Sequence, residues 1–138
     1  MSRGFGKVFV ESQTNPIYNR INPTERKFKM AKHEFGIMNT PPKSGERFDC
    51  YEPEKYHTIS VDDDYIEPLL KDFERVDCFC HGTDIKNKGL VYCGITLIPP
   101  QSLCHMIEIT EKVPELSTLT ELLKRAQREN KFVIHYGL

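Results

Sequence analysis

The sequence predicts a single α+β domain: a mixed or mostly antiparallel central sheet of about five strands, with about three helices packed on it. Three observations carry that prediction. The length of 138 residues suits one domain with a core of its own. The apolar residues fall partly into short runs of strand character and partly at helical spacing. The segments follow one another as β-β-α-β-β-α-α-β, without the regular strand-helix alternation of a parallel sheet.

Taken in order, "HEFGIM" (33–38) is short, apolar and partly aromatic, and reads as a first strand. "NTPPKSGERFDCYEPEKY" (39–56) carries three prolines and a glycine and reads as a long loop. Structureless connections of that length usually have a function. "HTISVDD" (57–63) alternates Thr58, Ser60 and Asp62 with Ile59 and Val61, the pattern of a half-buried strand. Pro68 suits the first position of a helix, where its missing N–H costs nothing, so "PLLKDFER" predicts a short helix with Leu69, Leu70 and Phe73 inward. "VDCFCH" (76–81) and "GLVYCGITLIPP" (89–100), joined by the polar "GTDIKNK", predict a β-hairpin. Helical spacing of Leu103, Met106, Ile107 and Val113 predicts a helix over 101–113, stopped by Pro114. Thr118 with Glu121 has the spacing of a capping box ahead of "LLKRAQREN", and Asn130 is its expected stop. "FVIHYGL" is strand-prone and expected to insert into the sheet.

The composition, 38% hydrophobic and 28% charged with a formal net charge of −1, is that of a globular protein rather than a disordered one. No apolar run approaches the roughly 20 residues that span a bilayer, and the N-terminus lacks the apolar core of a signal peptide. The expected address is the cytosol. A near-neutral net charge argues against nucleic acid, apart from one segment. Residues 1–30 hold six basic and two acidic side chains, a net of +4, against thirteen basic and eighteen acidic over 31–138, a net of −5. The segment 1–30 therefore reads as a basic, poorly patterned extension, suited to an acidic surface or nucleic acid, with the domain over 31–138. Met30, which leads through "MAKHEFGIM" straight into a strand, is an expected alternative start.

Five cysteines at uneven spacings are expected to be reduced thiols. In a strand, Cys78 and Cys80 share a face, and a hairpin pairing residue 78 with 93 would add Cys93, with Cys104 or His105 to complete a fourth position. Three or four thiols around one point would suit zinc. Against this, C-x-C in an extended strand closes poorly on one ion, and buried free cysteine commonly acts as a small apolar residue. No G-x-S-x-G elbow supports nucleophilic catalysis. His33, His57, His81 and His135 each fall on or at the start of an expected strand, where a structural hydrogen bond is the usual role. His135, in "VIHYG" at a strand end, is the first choice for a functional one. Asp62 and Asp64 in "SVDDDY" resemble the D-x-D with which haloacid-dehalogenase-type phosphoryl-transfer enzymes hold magnesium. No matching second motif accompanies them, and helix capping is the competing role.

"KHEFGIM", "YEPEKYHTISVDDDYI", "KGLVYCGITLIPP" and "NKFVIHYGL" together are similar to a family of small bacterial proteins without an assigned activity. The resemblance spans about residues 31–138 and implies no reaction or site. The expected function is therefore non-enzymatic binding of another protein, or of a second copy. Loop 39–56, with Phe48, Tyr51 and Tyr56 as aromatic anchors, and the acidic turn 62–64 would form the contact surface. The alternative is a metal-binding protein, or a small metal-dependent enzyme, holding magnesium at Asp62 and Asp64 or zinc at the thiols.

Overall fold

A computed structural model describes residues 31–138. The basic extension and the Met30 start fall outside the described residues. Six strands form one antiparallel sheet in the order β2-β1-β6-β5-β3-β4. They are β1 (Lys32–Met38), β2 (Ile59–Asp62), β3 (Asp77–Cys80), β4 (Lys86–Lys88), β5 (Ile95–Ile98) and β6 (Phe132–Tyr136). Helices α1 (Pro53–Tyr56), α2 (Asp63–Ile66) and α3 (Leu70–Phe73) are single turns, the last preceded by a 3-10 turn at Glu67–Leu69. Helices α4 (Leu103–Thr110) and α5 (Ser117–Arg128) are longer.

The alternation of side chains along each strand divides the core into two layers. One face presents Phe35, Ile37, Val61, Cys78, Ile98 and Val133 to the helices, chiefly to Leu103, Met106 and Ile107 of α4 and Leu119, Leu123 and Ala126 of α5. The other presents Met38, Ile95, Leu97, Ile134 and Tyr136, and is covered by Tyr56 and Phe48 from the long loop. Cover on both sides explains why all four residues of "ITLI" in β5 are buried, the one polar side chain, Thr96, included.

The expected hairpin is corrected in its register. Residues 86–88 form a strand of their own, and β3 lies between it and β5. Cys78 faces Asn87 in β4, and Cys80 faces Thr96 in β5. The physical reason is the turn after Cys80: His81 adopts a left-handed backbone with φ 60°, and Cys80 N–H donates to Ile85 O at 2.8 Å. The chain therefore reverses within "HGTDI" instead of running on to Gly89. The capping box also does not form. A 3-10 turn at Pro114–Leu116 runs directly into α5, whose first turn has no side-chain cap. Asn130 does stop α5, in the left-handed conformation with φ 55°, while Lys131 N–H reaches back to Ala126 O at 2.9 Å.

Candidate functional site

Register places a row of polar side chains across one end of the helix-covered face. Phe35 in β1 faces His135 in β6, so His33, two residues earlier, shares the face with His135 and lies diagonally across from it. His135 in turn faces Thr96 in β5. His33, His135 and Thr96 have no solvent-exposed surface. Groups so deeply buried must be paired, and these are.

His33 Nδ1 lies 2.9 Å from His135 Nε2, and His33 Nε2 lies 2.8 Å from Asp63 Oδ1. His135 Nδ1 lies 2.9 Å from Thr96 Oγ1, which accepts the Val91 N–H at 2.8 Å. Tyr92 Oη donates to the second oxygen of Asp63 at 2.7 Å. With a carboxylate at Asp63 and both imidazoles neutral, one assignment satisfies every contact. The Thr96 hydroxyl donates to His135 Nδ1, His135 Nε2–H donates to His33 Nδ1, and His33 Nε2–H donates to Asp63. All the dipoles then point at the one anionic group. Burial, and then the neighbouring His33, hold His135 well below the usual imidazole range, consistent with that neutral form.

This array does not present a nucleophile. Both carboxylate oxygens of Asp63 are engaged and both histidines are sealed from solvent, the reverse of a triad with an exposed attacking group. The hydrogen bond to Asp63, above all, pushes the Tyr92 phenol up to about 12, so it stays protonated as the donor. The array pins β1, β5, β6, α2 and the turn 91–94 to one another. Gly137 completes the pin: a Cβ there would stand 2.1 Å from Tyr92 O, and Gly137 N–H donates to Gly94 O at 2.7 Å.

His81 pins the loop on the opposite layer. Its Nε2 accepts the Ile95 N–H at 3.2 Å, which leaves Nδ1–H to donate to Phe48 O at 3.1 Å and Asp49 Oδ1 at 2.9 Å. Phe48 N–H donates back to His81 O at 2.8 Å. Gly36 lets the loop approach, since a Cβ at that position would lie 2.7 Å from both Cβ and O of Tyr56.

Of the residues singled out in the sequence, Phe48 and Tyr56 pack on the sheet. Tyr51 stays 62% exposed, although its hydroxyl donates to the Glu34 carboxylate and its ring meets Tyr136 edge-on, with centroids 5.1 Å apart. Partial burial, followed by that bond to Glu34, pushes the Tyr51 phenol up. Asp62 caps α2 by accepting the Asp64 N–H at 3.0 Å, and Asp64 is exposed. His135 enters the buried array. The thiol cluster is not formed: Cys93 lies in the turn before β5, Cys104 sits exposed on α4, and burial pushes the Cys78 thiol up to about 12. Among the described residues, no three histidine, cysteine or carboxylate side chains converge as metal ligands. A cavity of about 300 Å³ runs along the β3–β4 ribbon between Asp77 and Lys88 and shares no residue with the histidine array.

The spacing of the acidic run drew attention to Asp62 and Asp64, whereas the central Asp63 reaches His33. Thr96 and Tyr92 were not singled out. A signal for two members of the array was present. His33 and Thr96 fall in phase with buried Phe35 and Ile98, and a polar residue at a core phase needs a buried partner.

Fold and site together define a single-sheet α+β domain with a buried histidine pin and an acidic, tyrosine-bearing outer face. No protein-family model, curated protein or solved structure matches the chain.

Proposed function

We propose that the domain binds another protein through the face formed by loop 39–56 and turn 62–64, and that the partner offers a segment rich in lysine or arginine. One observation carries the reading: Tyr51 is held in place by Glu34 and Tyr136 yet leaves 62% of its surface to solvent. An aromatic ring fixed before binding loses little freedom on contact, and such rings dominate interfaces. The charge of the partner follows from the surroundings. Residues 46–67 hold eight acidic and two basic side chains, nearly all of them exposed or half-buried, a field that speeds association with cations.

Fluorescence anisotropy of a labelled octapeptide alternating lysine and valine tests this. The full chain should bind it, with an affinity that falls as salt rises. Tyr51→Ala should weaken binding at least tenfold with an unchanged thermal melt, and Glu54→Lys with Asp64→Lys should weaken it further. Glu108→Lys on α4 should leave it unchanged. Binding that ignores both Tyr51→Ala and the paired charge reversals would contradict the assignment.

A further inference from the structure

Asp63 N–H donates to Ala31 O at 3.0 Å, which fixes the phase of the β1–β2 ladder. Bonded pairs then alternate back along β2 at Val61 with His33 and at Ile59 with Phe35. The N–H and C=O of Ser60, and the N–H of Asp62, point away from β1, and among the described residues β2 is an edge of the sheet. Among the described residues none of these three groups has a backbone partner, and Ser60 is exposed.

The two edges of the sheet are not alike. At the far edge, the outward positions of β4 carry Lys86 and Lys88, the kind of side chain that blunts an edge against a further strand. The β2 edge carries no lysine, no proline and no bulge. On the outer face Glu34 faces Ser60 in the register, Asp62 faces the exposed Lys32, and Asp64 lies just beyond, so three carboxylates flank the edge against one cation. On the inner face it shows part-buried Ile59. A second copy of the chain added here would set like charges against one another, whereas a cationic strand would be favoured.

We propose that the partner segment adds to the β2 edge as a seventh, extended strand, its basic side chains toward Glu34, Asp62 and Tyr51 and its aliphatic side chains toward Ile59. The proposal rests on the acidic-face reading above and specifies its mode: main-chain bonds supply the grip, and side-chain alternation supplies the selection.

The test uses the full chain with the lysine-valine octapeptide and two N-methylated versions, one methylated at every lysine amide and one at every valine amide. In a strand only alternate amides face the neighbour, so one version should lose at least tenfold in affinity and the other should bind within about threefold of the parent. Which version fails reports whether the added strand is antiparallel or parallel. Hydrogen exchange at Ser60 and Asp62 should slow at least tenfold on saturation, while the already bonded Val61 amide changes little. If both methylated peptides bind like the parent, exchange at Ser60 is unchanged and Tyr51→Ala still weakens binding, the edge proposal fails and the face reading survives. If the parent peptide does not bind at millimolar concentration, both fail.

Discussion

Asp63 differs from its two neighbours in that its carboxylate accepts hydrogen bonds from the Tyr92 hydroxyl and from the N–H of buried His33. Asp63→Ala leaves that N–H without a partner, and the cost is expected to be about 1–3 kcal/mol in urea denaturation. Asp64→Ala should stay within about 0.5 kcal/mol, although it shares the first turn of α2. Asp63→Asn should fall between them, since its carbonyl can accept from His33 while its amide donates to the Tyr92 oxygen. Equal costs at 63 and 64 would show that the pin carries no stability. The identity of the reactive-looking residues was only partly legible from the sequence. D-x-D spacing is a local pattern, but the partner of Asp63 lies 30 residues away and is set by strand register. The same cause undid the thiol cluster: a turn at His81 shifted the register, and Asn87 came to face Cys78 in place of Cys93.

At the scale of elements, periodicity read well wherever packing follows it. β2 and α4 stand where the alternation around Val61 and the helical spacing of Leu103, Met106 and Ile107 place them, whereas β1 and β6, buried on both faces, were marked by composition and strand propensity. The loop 39–56 read as a breaker-rich connection offering Phe48, Tyr51 and Tyr56 outward, since nothing local announces that Tyr56 and Phe48 close the second face of the sheet. That closure depends on Gly36 in the neighbouring strand. Gly36→Ala forces the strand against the backbone of Tyr56 and is expected to cost about 1–3 kcal/mol. It should also weaken binding of the lysine-valine peptide, because the displaced loop carries Tyr51. A Gly36→Ala protein as stable as the parent would mean that the loop is not held against β1.

For the molecule as a whole, the buried array ties stability to pH. His135 is held neutral in the folded chain, below its ordinary range, by burial and then by His33. The unfolded chain takes up that proton near the ordinary value of about 6.5, so its stabilising effect is complete above that pH and is lost as pH falls below it. One proton taken up only on unfolding corresponds to at most about 1.4 kcal/mol per pH unit. Urea midpoints measured from pH 7.5 to 5 should therefore drop, and in His135→Gln the part of the drop due to this proton should be gone. Identical pH profiles for the two proteins would remove His135 from the account.

The outer face is the other whole-molecule property, and locating the bound peptide tests it most directly. In ¹H–¹⁵N spectra of the full chain titrated with the lysine-valine octapeptide, shifts are expected to concentrate at Glu34, Tyr51, Ser60, Asp62 and Asp64, with β4 and α5 unmoved. Shifts centred on Lys86–Lys88 or on α5, with residues 46–67 silent, would contradict the assignment of that face.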